Sequence, residues 1–425
     1  MMRRASMATH PTDVLESPLT RYSRWSLVVT VAAMPLYVAR FKLLVPSTLL
    51  EVLILITVAL YIASRYQARH YSPPRSVLEI PTALLLIAGA GAIAVSPDHT
   101  GALGIYRAYF LEPVALFYVA VDLVRTPQQF RMVLLGFAIG ATTFAILNLG
   151  AWAIALARHE AIATANAPEA FQTSPNAVAM FLEPAVAIAG GFILYAEERR
   201  DRMVAIACMV FLLPSLLLTL SRAAWLTLAV LALVAVITLP QTRLKLAVLV
   251  VAVLGAVALT RIPYVQIRLA NQLDPKFADN TFEGRLRIWS DTLHMLRDRP
   301  IFGAGLRAYK QVMEPYVTGK RGPELYPHDV WLTMWSELGL LGLLAFVALV
   351  ALLLWLGWRG FARATGFYRP LLWGLAAAMV AITVHGVFDT PYFKNDLAVE
   401  FWTIAALEIA ALKAMQATGN AAFER

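Results

Sequence analysis

Phe282-Glu283-Gly284-Arg285-Leu286-Arg287-Ile288-Trp289, Arg299-Pro300-Ile301-Phe302-Gly303-Ala304-Gly305-Leu306 and Tyr326-Pro327-His328-Asp329-Val330-Trp331-Leu332 all fall within residues 261–337, the only long polar run of the chain. On either side the sequence gathers into apolar runs of about 18 to 25 residues, the length a helix needs to cross a hydrocarbon core ~30 Å thick. Arginines, a histidine, aromatic residues and tight glycine turns therefore sit together where the chain leaves its apolar segments. Nothing about crossing a bilayer requires such a segment, which makes it the first place to look for chemistry.

The 425 residues are 59% hydrophobic and 15% charged, with a positive mean hydropathy. Sheet edges would be left unsatisfied in lipid, and the runs lack the alternating polarity of a transmembrane barrel. The expected fold is an all-α polytopic membrane protein of about twelve transmembrane helices. Their approximate positions are 25–40, 46–64, 78–95, 108–124, 132–157, 177–196, 203–220, 223–240, 244–260, 338–357, 370–388 and 397–414. This divides the chain into a basic N-terminus (1–24), helices one to nine (25–260), a large loop (261–337), helices ten to twelve (338–414) and a C-terminus (415–425). The first apolar run has no small-residue cleavage pattern and reads as a retained helix.

The formal charge of +9 is spread over short loops and does not point to nucleic acid. One side carries 19 of the 36 lysines and arginines, the short loops of the other carry six, and eleven lie in the large loop. The positive-inside bias then puts both termini in the cytoplasm and the large loop outside, which is the periplasm of a two-membrane bacterium. Arg40 and Lys42 run against this trend. The excess positive charge in the loop suits an anionic, lipid-linked ligand. Cys208 is the single cysteine and falls in an apolar run, so it forms no intramolecular disulfide.

The chain has no phosphate loop, no HExxH, no Asp-x-Asp pair and no histidine or cysteine cluster at metal spacing. An ATPase or metalloprotease is unsupported, and no metal or other cofactor is expected. The candidates lie on the outward side instead. Arg222, in the turn Thr219-Leu220-Ser221-Arg222, offers a fork-shaped anchor for phosphate, or alternatively snorkels to head groups. Arg285 and Trp289, four apart in a helical pattern, share a face over the membrane surface. Gly303 and Gly305 turn the chain so that Arg307 and Tyr309 come back, either to a ligand or as ordinary surface residues. His328 precedes an N-cap, Asp329, where the helix dipole favours a neutral imidazole suited to a general base. Glu337 either orients an arginine or caps the interface.

Asn176 reads as an N-cap or a sugar contact. His385 with Asp389, Tyr392, Lys394, Asn395 and Asp396 forms a polar cluster between the last two spans that suits the lining of the same cavity. Glu112 and Glu183 each precede proline inside apolar runs, where an ionisable group is a functional candidate by default.

At these residues the sequence resembles the O-antigen ligase and O-antigen polymerase family. The matching segments are Ser174-Pro175-Asn176-Ala177-Val178-Ala179, Ser221-Arg222-Ala223-Ala224-Trp225-Leu226, Gly284-Arg285-(x)3-Trp289 with Pro300-Ile301-Phe302-Gly303-Ala304-Gly305, and Pro327-His328-Asp329-(x)7-Glu337-Leu338-Gly339-Leu340-Leu341-Gly342. Alanine at position 223 and Asp329 stand where the family more often has glycine and asparagine. The resemblance extends over most of the chain.

It implies metal-independent glycosyl transfer in the bacterial inner membrane, from an undecaprenyl-diphosphate-linked glycan to lipid A-core or another glycan. Arg222 and Arg285 would hold the diphosphate and His328 would assist the acceptor hydroxyl. Trp289, Arg307, Tyr309, Asn176, His385 and Glu337 would contact substrate. Arg222, Arg285 and His328 should therefore converge on one cavity. A polymerase joining repeat units and a protein O-oligosaccharyltransferase share the donor site. A transporter of lipid-linked sugars is the competing class, and it would place polar groups near the bilayer midplane in repeated halves.

Overall fold

The computed structural model describes residues 17–42, 46–69, 74–160, 162, 167–171, 174–273, 281–318, 322–417 and 419. Sixteen α-helices follow in chain order: α1 (Pro18–Ala32), α2 (Leu49–Gln67), α3 (Glu79–Val95), α4 (His99–Tyr106), α5 (Glu112–Leu123), α6 (Pro127–Ala157), α7 (Pro175–Tyr195) and α8 (Arg199–Leu218), then α9 (Arg222–Thr238), α10 (Thr242–Leu259), α11 (Pro263–Leu273), α12 (Thr281–Asp298), α13 (Tyr309–Val312), α14 (Val330–Arg363), α15 (Tyr368–Gly386) and α16 (Asn395–Ala417). A π-helical turn, Arg107–Leu111, joins α4 to α5, and β1 (Arg40–Lys42) pairs antiparallel with β2 (Pro46–Thr48), placing Arg40 opposite Thr48.

The protein is an all-α polytopic membrane protein. Among the described residues eight stretches are long and apolar enough to cross a bilayer: α2, α4 through α5, α6, α7, α8, α10, α14 and α15. Two shorter apolar helices, α3 and α9, accompany them. With α1 and α16 they correspond in order to the twelve expected runs. The first run differs in detail. Its helix begins at Pro18, capped by Ser17, and stops at Ala32. Pro35 has no N–H to donate, and the chain passes into a 3-10 turn at Met34–Val38.

Local signals in the sequence account for most helix starts. Thr48 with Glu51 and Thr126 with Gln129 make reciprocal capping boxes. Ser174, Ser221 and Asp329 each accept from a backbone N–H in the first turn of α7, α9 and α14.

The centre of the bundle is the pair α7 and α15. A Cβ on Gly191 would lie 2.5 Å from the carbonyl oxygen of Pro370 and 2.8 Å from the backbone N of Gly374. Small residues here let the two backbones touch, as in other membrane helix pairs. α16 is buried along nearly its whole length, whereas α10 has no buried residue and faces outward from the bundle.

Candidate active site

Four elements meet at one carboxylate. Asp389 follows the C-terminus of α15, and its backbone N–H donates to the carbonyl of His385 at 3.0 Å. Its Oδ1 lies 3.2 Å from Nδ1 of His328 and accepts from the N–H of Thr390 at 3.0 Å. Its Oδ2 accepts from Nδ2 of Asn176 at 2.8 Å and lies 3.9 Å from a guanidinium nitrogen of Arg285. Asp389 is almost fully buried, and Arg285 keeps 19% of its side chain exposed.

The loop helix α12 delivers Arg285. Arg285 and Trp289 do share a face, and that face is turned into the protein rather than onto a membrane surface. Trp289 donates from its indole N–H to the carbonyl of Pro327 at 3.0 Å, gripping the residue that precedes His328. The histidine has a left-handed backbone, φ 53°, an uncommon but accessible conformation for this residue. Asp329 then caps α14, accepting from the N–H of Leu332 at 2.7 Å. The histidine is thus fixed from both sides and through its ring.

Electrostatics at this point depart from the sequence expectation. Burial pushes the imidazolium of His328 down, but the hydrogen bond and charge of Asp389 outweigh burial, and the pKa is raised above its ordinary 6.5. The adjacent carboxylate therefore overrides the helix dipole. Burial likewise pushes Asp389 up, yet His328, His385 and Arg285 together hold it far below the usual carboxylate range. Burial pulls Arg285 down from 12.5, with Asp389 opposing. With Nδ1–H donating to Asp389, the free Nε2 of neutral His328 is the atom that can accept a proton. An Asp–His pair orients an imidazole for base catalysis in this way.

A cavity of about 600 Å³ opens beside this pair. His328 and Asp389 form part of its wall, with Tyr326, Lys394, Arg40 and Tyr109 around them. It is roomy enough for a sugar with its attached group.

The remaining loop is pinned to the bundle by its glycine turn. Gly303 and Gly305 have φ 63° and 91°, as a reversal without a side chain allows. Ala304 donates to the carbonyl of Ser336 at 2.6 Å, Leu340 donates to Ile301 at 2.9 Å, and Leu306 donates to Ala92 of α3 at 3.2 Å. Gly339, at φ 76°, breaks α14 where it meets this turn. The re-entering helix therefore has two parts, a short outer one carrying the Asp329 cap and a long inner one.

Within this frame the other sequence candidates take definite places. Glu337 is buried and accepts from the backbone N–H groups of Arg307 and Tyr309, so it holds the turn rather than an arginine side chain. Tyr309 is fully buried and shares a hydrogen bond with Thr292 at 2.7 Å. Arg307 reaches Asp98 at 3.0 Å. Asn176 is not the N-cap of α7, a place taken by Ser174; it supports Asp389 instead. His385 is wholly buried, its Nδ1 2.7 Å from Glu183 of α7. None of these five lines the cavity, nor do Arg285 and Trp289.

Arg222 opens α9, which packs on α15 and α7, and is not among the cavity-lining residues. The geometry joins Arg285 and His328 at Asp389 and leaves Arg222 to one side. Glu112 of the π-turn region lies 3.3 Å from Arg107, whose other nitrogen bonds Glu51 at 2.7 Å. Among the described residues no group of three or more His, Cys, Asp or Glu is placed to hold a metal ion.

Sequence reasoning placed Asp389 in a polar cluster without singling it out. The signal available was its position, four residues after His385 and just past the end of an apolar run, where a solitary acid needs a counter-charge.

An all-α bundle of apolar helices, carrying one polar loop that folds back to bring Arg285 and His328 to the buried Asp389, defines the class as a polytopic membrane protein. Residues 204–347 match the family model described as O-antigen ligase. The match is narrower than the resemblance: it covers Arg222, Arg285, Trp289 and His328 but neither Asn176 nor Asp389. No curated protein matches the chain.

Proposed function

We propose that the protein is a glycosyltransferase of the ligase type, moving a glycan from a polyprenyl-diphosphate carrier to lipid A-core at the periplasmic face of the inner membrane. Both termini would then be cytoplasmic, residues 261–337 periplasmic, and no metal would be needed. The observation that supports this reading best is the pairing of His328 with Asp389 beside Arg285, at the edge of a sugar-sized cavity.

In the proposed reaction an acceptor hydroxyl oxygen forms a bond to the anomeric carbon of the donor glycan. Its proton passes to Nε2 of His328. The bond from the anomeric carbon to the diphosphate oxygen breaks, and the electron pair leaves on the diphosphate. Arg285 stabilises the charge that develops there. Asp389 keeps Nδ1 protonated and so makes Nε2 the base. Asn176 and Trp289 position Asp389 and the Pro327–His328 turn.

The test uses the purified full-length protein with a polyprenyl-diphosphate-linked oligosaccharide and chelator. Lipid A-core and a second lipid-linked repeat unit are offered separately as acceptors. Transfer to lipid A-core that disappears in His328→Asn is the expected result. Extension of the lipid-linked unit would make the protein a polymerase using the same groups, and no transfer to either acceptor would refute the proposal.

One observation favours a second reading, transport of a lipid-linked sugar. Glu183, Glu400, Glu408 and His385 are all buried inside the helical bundle, the kind of interior polar set that carriers use. Uptake of the carrier-linked glycan by proteoliposomes without any transfer chemistry would establish it.

A further inference from the structure

The wall of the cavity also carries two cations that the proposed transfer does not use. Arg40 stands on the short hairpin of β1 and β2, across from Thr48. Lys394 lies in the turn before α16, its Nζ 4.5 Å from the centroid of the Tyr37 ring. Both side chains line the cavity together with His328 and Asp389. Among the described residues neither makes an ion pair.

The surroundings of Lys394 are unfavourable to its charge. Burial draws the ammonium of Lys394 below its ordinary 10.5, and the positive charge of Arg40 draws it lower still. The acids facing Lys394 are Asp396, Glu169 and Asp389, which oppose that shift. Asp389 is already engaged by His328 and Arg285, and Glu324, the other acid on the cavity wall, is exposed. Two like charges turned toward one cavity, one of them desolvated, are stabilised by an anion between them and gain little from a neutral sugar. Arg40 is also one of the two short-loop cations that break the positive-inside pattern beside the first span, which gives that exception a purpose.

We propose that Arg40 and Lys394 form an anion subsite that holds a phosphate-bearing group of the substrate bound beside His328. The inference rests on the transfer reading for what the bound molecule becomes, but the subsite itself does not depend on it. The phosphate has two possible sources, the diphosphate of the carrier-linked donor and a phosphate on the acceptor glycolipid. In either case the Tyr37 ring, which shields one side of the ammonium, helps fix the direction from which the anion approaches.

The first experiment is binding of inorganic pyrophosphate to the detergent-solubilised full-length protein, read by thermal shift and by intrinsic tryptophan fluorescence. The double variant Arg40→Gln/Lys394→Met should bind at least about tenfold more weakly than wild type, since it removes the charge-assisted hydrogen bonds to the anion. The methionine keeps the apolar stem over Tyr37, and Lys394→Arg should restore binding, which separates loss of charge from loss of fold. Equal pyrophosphate binding by wild type and double variant would overturn the proposal.

The transfer assay then separates the sources. A rise of about tenfold or more in KM for the carrier-linked donor assigns the subsite to the diphosphate. The same rise for a phosphorylated acceptor, absent when that acceptor is dephosphorylated, assigns it to the acceptor. Unchanged KM for every substrate would again overturn the subsite. Charge-dependent pyrophosphate binding in a protein that transfers nothing supports the subsite and removes the glycosyltransferase reading alone.

Discussion

Asp389 and His328 stand 61 positions apart in sequence and 3.2 Å apart in space, joined Oδ1 to Nδ1. The bond ties the end of α15 to the turn before α14, so the ring is oriented by an element remote in the chain. Because Asp389 raises the pKa of His328, transfer should increase with pH through a value above 6.5. In Asp389→Asn the acid limb should move to lower pH, because burial and the charge of Arg285 then act without the carboxylate, and the maximal rate should drop by as much as about 10⁴, the loss seen when an orienting carboxylate is replaced by its amide. A pH–rate profile of both proteins checks it; an unmoved limb would detach Asp389 from His328.

The same pair fixes the direction of a stability effect. A histidine whose pKa is higher folded than unfolded stabilises the fold most fully below the unfolded value of about 6.5, and the contribution fades as pH rises through the folded value. Thermal unfolding of His328→Asn against wild type should therefore differ most at pH 5.5 and least at pH 9.

Asn176 supports the other oxygen of Asp389 at 2.8 Å. Asn176→Ala should leave the fold intact and lower the rate about tenfold, the order of one lost hydrogen bond to a charged group. Asn176→Asp should be worse, since it sets two carboxylates within hydrogen-bond distance. A transfer assay on the three proteins ranks them; equal rates for Ala and Asp would count against the arrangement.

Arg285→Lys should lose most activity. An ammonium has no fork with which to face a diphosphate while remaining close to Asp389, and burial already disfavours a charge there. Near-normal turnover in the lysine variant would reduce Arg285 to a support for Asp389.

Gly339→Ala should destabilise the protein by about 1–3 kcal/mol, because φ 76° is strained for alanine. Its Cβ would also stand 2.3 Å from the carbonyl of Ile301. The change should appear as a lowered unfolding temperature and as faster proteolysis within residues 261–337, with α1 to α9 unaffected.

Much of this was legible in the sequence for a physical reason: hydrocarbon thickness dictates the length of a span, and caps such as Asp329 mark where a helix starts. The periodicity that put Arg285 and Trp289 on one face was also local information. What that face touches was not. The partners of Arg285 and Trp289 are Asp389 and Pro327, 104 and 38 positions away (389 − 285 and 327 − 289), and no local pattern encodes a pairing across that distance. Tyr309 read as a ligand contact or a surface residue after a glycine turn, and Glu337 as a partner for an arginine or a cap at the interface. Here the turn folds inward and uses both within the protein. Arg40 looked like noise in the charge bias, since a cavity wall assembled from the first and last spans has no signature along the chain.

The glycine turn at 300–306 is sewn to α3 and to the break in α14 by backbone groups, Ile301 to Leu340, Ala304 to Ser336 and Leu306 to Ala92. Backbone stitches are indifferent to the side chains that lie between them. Past the turn the ties are of the other kind: Thr318 donates to Asp291 at 2.8 Å, Tyr316 donates to Asp298 at 2.8 Å, and Met313 packs with Met295 and Leu296, all on α12. Side chains therefore bind this segment to the helix that carries Arg285. Exchanging residues 310–318 should shift that helix as well, so the loop moves as one unit with the arginine it delivers.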